Sequence, residues 1–205
     1  DLVNISEYLN TEAEILPIFT PLIRGRLLSV KRLGSGSLDS ENIMEREANL
    51  TWKENLPESN KIVKGVWWKE GATNAEVSVD DGVAESMNLV LGDELYFSAG
   101  GTNFYATVTS FREVGWESFS PNFFFILSPS IGRTLPNSYI TSIKIPENSR
   151  IINDFVKRFP TITNVDIGSI IKQVQNTISS ASLAVQYIFI LALAAGILAL
   201  IASIF

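Results

Sequence analysis

The side chains able to do chemistry in this sequence fall into a few short groups. Asp80, Asp81 and Glu85 lie close enough along the chain to hold a hard cation through carboxylate oxygens. The same residues suit the start of a short helix, where one acid caps free backbone N–H groups and the others favour the positive end of the helix dipole. The capping reading is the simpler one. Glu12 with Glu14, and Glu45 with Glu47, could supply paired acids for glycoside chemistry, although scattered surface carboxylates look the same. Arg24-Gly25-Arg26 would clamp an anion or, more plainly, mark the outward positions of a strand. Leu33-Gly34-Ser35-Gly36-Ser37 has the glycines of a phosphate loop, but no Gly-Lys-Ser/Thr follows. Two glycosylation patterns, Asn4-Ile5-Ser6 and Asn49-Leu50-Thr51, are no more than chance supplies. Histidine and cysteine are both absent. That removes Ser-His-Asp and Cys-His catalysis and the usual zinc sites, leaving no catalytic, cofactor-binding or metal-binding residue to assign.

Recognition is better provided for. The chain carries Trp52, Trp67-Trp68, Trp116, Phe119 and Phe123-Phe124-Phe125. Partner surfaces are enriched in such residues, although most aromatics of a β-rich domain pack inside it. If Trp67 and Trp68 occupy one strand, they point to opposite faces, and both are buried only when the strand is covered on two sides. Trp67, Trp68, Trp116 and Phe119 are therefore the contact candidates. A net charge of -6 argues against nucleic acid, which calls for a clustered basic surface.

The elements that must position these residues can be read from spacing. Leu2 to Ile5 reads as the tail of a strand. Ser6 then caps a helix whose face is Tyr8, Leu9, Ala13 and Leu16 and which Pro17 stops. A strand over residues 23–31 follows, with Gly25 as a bulge. Residues 38–135 look different, with short strands at 48–52, 63–68, 76–79, 94–98, 103–111 and 123–127. A helix at 82–87 and a hairpin turn at 99–102 interrupt them. A strand at 139–145, a helix on Ile151, Ile152, Phe155, Val156 and Phe159, and a strand at 161–167 repeat the opening pattern. The expected class is α+β: two strand–helix–strand units (residues 1–36 and 136–168) sharing a split sandwich, with a β-rich insertion at 37–135.

Beyond Lys172 no charged residue remains. Asp166 caps a final helix on which Ile167, Ile170, Ile171, Val174, Ile178 and Val185 form one stripe, and the stripe broadens into a run apolar on every face. An apolar run of about 20 residues crosses a bilayer, so residues 169–205 read as a stalk entering a span at about 183–205. At 1.5 Å per residue the helix would be roughly 58 Å long. The base-poor flank before it places the preceding residues outside the cytoplasm. The sequence begins at Asp1 and ends within the apolar run, as a segment of a longer protein would.

One ordered set of residues carries a family resemblance. It comprises Arg24-Gly25-Arg26, Asn49-Leu50-Thr51-Trp52, Leu56-Pro57, Asn60, Gly65-Val66-Trp67-Trp68, Val77-Ser78-Val79, Leu91-Gly92-Asp93, Val108-Thr109-Ser110 and Arg112. It continues through Trp116, Ser118-Phe119, Pro121-Asn122-Phe123, Tyr139-Ile140-Thr141-Ser142, Phe159-Pro160 and Asp166. Together these resemble the periplasmic core region of bacterial ABC transporter permeases of the FtsX/MacB type. The resemblance implies that the two strand–helix–strand units are a Porter-like subdomain and the insertion a Sabre-like one. It implies further membrane helices on both sides of this segment, in the bacterial inner membrane, with residues before about 182 on the periplasmic side. It implies no enzymatic activity and no cofactor in the segment, ATP being bound by a separate ATPase subunit. The expected partners are that ATPase, a second permease copy or half, the lipid bilayer, and periplasmic proteins or a lipophilic substrate. The expected action is mechanotransmission, in which ATP-driven closure of the ATPase moves the stalks and reshapes the periplasmic domain. A membrane-anchored binding or adaptor domain without transport is the alternative.

Overall fold

A computed structural model describes residues 2–34, 38–39, 46–115, 120–145 and 151–204. The chain forms two compact units, Asp1–Glu147 and Asn148–Phe205.

The first unit opens on α1 (Leu2–Ala13). Ile5 and Leu9 are its buried residues, four apart and so on one helical face. That spacing overrides the expected strand at Leu2–Ile5 and leaves Ser6 inside the helix rather than capping it. The helix stops before Pro17 because Glu14 turns left-handed, with φ of 55°, and the Ile15 amide closes on the Leu9 carbonyl at 3.2 Å. There follow β1 (Thr20–Lys31), β2 (Leu38–Asp39), β3 (Arg46–Trp52), β4 (Asn60–Gly65) and β5 (Glu76–Asp80). The unit continues with α2 (Asp81–Ser86), β6 (Glu94–Ala99), β7 (Thr102–Val114), β8 (Phe125–Leu127), α3 (Pro129–Gly132) and β9 (Ser138–Ile140).

Six of these strands close into a ring. β1 pairs with β3, β3 with β8, β8 with β5, β5 with β7, β7 with β6, and β6 returns to β1. The β3/β8 and β5/β7 contacts are parallel and the others antiparallel. The ring is filled from every stave: Ile23, Val30, Leu50, Val77, Val79, Leu95, Phe97 and Leu127 are wholly buried, and Ala106 and Val108 of β7 nearly so. Phe97 packs between Phe104 and Phe125 with ring centroids 5.6 and 5.5 Å away. Alternation along β6, with Leu95, Phe97 and Ala99 inward, is the period-two signature of a strand with one buried face. Gly100 and Gly101, both at positive φ, form the tight turn that joins β6 to β7. Gly25 is not a bulge. A Cβ there would lie 2.9 Å from the Ser98 carbonyl, so glycine permits the close approach of β1 and β6, and the register shift falls between Leu27 and Ser29.

β1, from the expected first subdomain, pairs with β3 and β6, from the expected insertion, as neighbouring staves of one ring. β9 does lie against the start of β1, Thr20 opposite Ile140. The expected strand at 161–167 is absent. Ile162 and Val165 are three apart rather than alternating, and the Ile162 amide turns back to the Phe159 carbonyl at 3.1 Å. The two strand–helix–strand units are therefore not formed among the described residues, although the molecule has both helices and strands.

The second unit contains α4 (Ile151–Arg158) and α5 (Ile167–Ile204). Lys157 and Arg158 sit in the last turn of α4, where cations favour the negative end of the dipole. α5 runs for 38 residues. Its described side chains are exposed, among them Ile167, Ile178 and Val185 of the expected stripe; the side chains of Ile170, Ile171 and Val174 lie outside the described residues. Among the described residues no helix is long and apolar enough to cross a membrane, so the expected span rests on the sequence alone.

Candidate functional site

The aromatic corner is built where β3 ends. Gly65 closes β4 at φ of +82°, which takes Val66, Trp67 and Trp68 off the strand. The two tryptophans therefore do not point to opposite sheet faces. Their rings meet at 3.8 Å between centroids. Each indole N–H donates to the backbone just beyond β3, Trp67 to the Glu54 carbonyl at 2.9 Å and Trp68 to the Lys53 carbonyl at 3.0 Å. Trp68 is buried at 6% exposure and Trp67 half-buried. Of the expected contact pair, Trp67 alone keeps a substantial surface. Trp116 and Phe119 lie outside the described residues.

On the other side of the corner stands α3. A Cβ on Gly132 would lie 2.1 Å from the Trp52 Cβ, so glycine lets this helix seat directly on Trp52. The guanidinium of the next residue, Arg133, sits 5.2 Å above the Trp52 ring, a cation–π distance, and pairs with the Glu54 carboxylate. Between these elements lies an open hollow of about 300 Å³ lined by Trp68, Lys69, Glu70, Ser130, Arg133 and Glu54. Its size is at the low end for a small-molecule site.

Ser128 and Ser130 approach within 2.8 Å of each other. Both hydroxyls donate to the Asn74 carbonyl, at 2.9 and 2.5 Å, and neither meets a general base. Nearby, Lys53 reaches Thr20 Oγ1 at 3.1 Å, and burial pushes its ammonium below the ordinary lysine value. Burial raises the Glu76 carboxyl. Two acids and two bases line the hollow, so no single charge sign dominates it.

The remaining sequence candidates are dispersed. Asp80 is the N-cap of α2, accepting from the Val83 amide at 3.1 Å. Among the described residues no three acids, histidines or cysteines gather as a metal would need. Arg24 and Arg26 are exposed on β1, as strand alternation requires. Glu14 ends α1, and Glu45 lies outside the described residues.

Two structural residues were not singled out by type and spacing. The Asp93 carboxylate is wholly buried. It accepts from the Leu33 amide at 2.8 Å, the Val90 amide at 3.0 Å and Arg32 Nη1 at 3.2 Å. Arg32 in turn donates to the Asn88 and Met87 carbonyls at the end of α2. Arg112 on β7 is wholly buried, and its Nη2 donates to the Phe123 carbonyl. Burial lowers its pKa to about 10, against the opposing pull of Asp80. The signal for Asp93 was its place in Leu91-Gly92-Asp93, legible as a turn but not as a three-way clasp.

No family model matches the chain. Over 194 residues, 94% of its length, it is 36% identical to the uncharacterised ABC transporter permease YbbP of Escherichia coli K12, of which it spans 24%. A solved domain of a proposed permease from Porphyromonas gingivalis aligns over 75% of this chain and 68% of that one at 15% identity, with a TM-score of 0.33.

Proposed function

This chain is homologous to a segment of an ABC transporter permease, and from that homology we propose that it is the extracytoplasmic segment of such a permease together with the start of its next membrane helix. The identity over 94% of the chain carries this reading. The uncharged run after Lys172 supports a span at about 183–205, and the base-poor flank before it supports an outward-facing domain. The ATPase is a separate subunit, the membrane is the bacterial inner membrane, and the kind is that of FtsX/MacB permeases. The segment's work is mechanical. Movement driven by ATP closure on the cytoplasmic side travels up α5 (Ile167–Ile204) and shifts the folded unit of residues 1–147.

Two measurements test this. A periplasm-dependent reporter fused after Ala181 is expected to be active in the full-length permease; activity only of a cytoplasm-dependent reporter overturns the topology. Substituting Val174→Pro breaks the helix interior. It is expected to abolish nucleotide-dependent distance changes between spin labels on the folded units while ATP hydrolysis continues. Unchanged distance changes in that variant would refute transmission through the helix.

A further inference from the structure

The ring closes without β4. This strand pairs with β7 alone, so its far edge offers backbone N–H and C=O groups that no strand of the described residues takes. Such edges are templates for an added strand. The stretch is locally basic in an acidic chain, as β1 with Arg24, Arg26 and Lys31 also is. From residue 59 to residue 69 it holds Lys61, Lys64 and Lys69 and no acid, in a chain whose net charge is -6. Lys61 and Lys64 are exposed on β4. Between and beyond them Val63 and Val66 stand 53% and 72% exposed, and the half-buried Trp67 follows.

Lysines and a bulge also serve to keep edges from pairing indiscriminately, and the register of β4 does shift between Ile62 and Lys64. A purely protective edge would not, however, leave two valines bare along the same stretch. The lysines discriminate between occupants. A second copy of β4 would bring lysines against lysines, which is unfavourable for facing residues. An extended segment alternating acidic and apolar residues would bring carboxylates to Lys61 and Lys64 and cover the valines.

We propose that the β4 edge is a docking site for an extended, acidic segment of a partner protein, added as a further strand beside β7 and β4. This goes beyond the permease reading, which names no such surface, and its test needs neither ATP nor transport. The probe is a labelled peptide of roughly eight residues, a typical strand length, alternating glutamate and valine. It is titrated against the 205-residue chain in detergent micelles and followed by fluorescence anisotropy. Saturable binding is expected, with amide-exchange protection appearing in residues 60–66. The K61E/K64E variant, altered only at exposed positions, should keep its thermal transition and bind about tenfold more weakly or worse. A peptide N-methylated at alternate amides should not bind. Any of three results overturns the proposal: equal binding by the methylated peptide, equal binding by K61E/K64E, or no binding of the parent peptide at about 1 mM, a level that detects even weak association. Concentration-dependent dimerisation protecting residues 60–66 would also overturn it, assigning the edge to a second copy.

Discussion

At the scale of single residues, the carboxylate of Asp93 ties three parts of the first unit together. It receives two backbone amides and one guanidinium nitrogen with no exposure to water. Replacing it by alanine strands those donors in a buried place. Asp93→Ala is expected to cost about 2–4 kcal/mol in urea unfolding, since an orphaned buried group carries its full desolvation penalty. A loss well under 1 kcal/mol would mean that water replaces the carboxylate. Lys53 gives a prediction in pH. Burial lowers its pKa below 10.5, so between the lowered value and 10.5 the unfolded chain binds more protons than the folded one. By linkage the stability contribution then rises with pH across that window and is flat above it. Lys53→Met should remove that rise. Arg112, lowered to about 10, has the same sign, and its rise runs from about 10 up toward the ordinary arginine value. Urea midpoints from pH 8 upward would separate the two; an unchanged profile in Lys53→Met would exclude the lysine as a contributor. None of these roles was legible from type and spacing, because each depends on which distant backbone groups a side chain meets.

At the scale of elements, legibility followed periodicity. β6 and the first part of β7 alternate buried and open positions, whereas β5 buries Val77, Ser78 and Val79 in a row and reads as a short apolar run; the turns carry glycines and an asparagine at positive φ. The helix of α1 is legible on Tyr8, Leu9 and Ala13, but its start is not, because four residues, Leu2 to Ile5, cannot distinguish a period of two from one of 3.6. Ile5 and Leu9 decide it only once Leu9 is known to be buried. β4 was placed a few residues late because Val66-Trp67-Trp68 has strong strand propensity, while Gly65, the residue that ends the strand, has no side chain to signal it. Gly65→Ala tests that account. A Cβ there would lie 2.2 Å from the Thr109 carbonyl at a φ that L-residues rarely adopt, so a cost of about 2 kcal/mol or more is expected from clash and backbone strain. The same change should move Trp67, seen as a shift in tryptophan emission. Unaltered emission with lowered stability would mean that the tryptophan pair holds its place without the turn.

At the scale of the whole molecule, closure of the ring was the part the sequence could not disclose. Apart from the β6/β7 hairpin, the contacts that close it join strands not adjacent in the chain, as when Leu27 meets Phe97. Local pattern carries no record of which distant strand will pair. The closed ring bears on the proposed mechanics. A six-stave barrel packed through Phe97, Phe104 and Phe125 deforms little, so movement arriving through the final helix should displace the unit of residues 1–147 rather than open it. A staple across two staves distinguishes these cases. Arg26 and Ser98 are cross-strand neighbours on β1 and β6, both with side chains outside the core. Directly opposed residues of an antiparallel pair fall within the Cα separation that a disulfide spans. The chain has no cysteine of its own to interfere. The R26C/S98C variant in the full permease, oxidised, is expected to retain the nucleotide-dependent distance changes between folded units. Their loss on oxidation and return on reduction would show that the barrel opens during the cycle, and the displacement mechanism would fail.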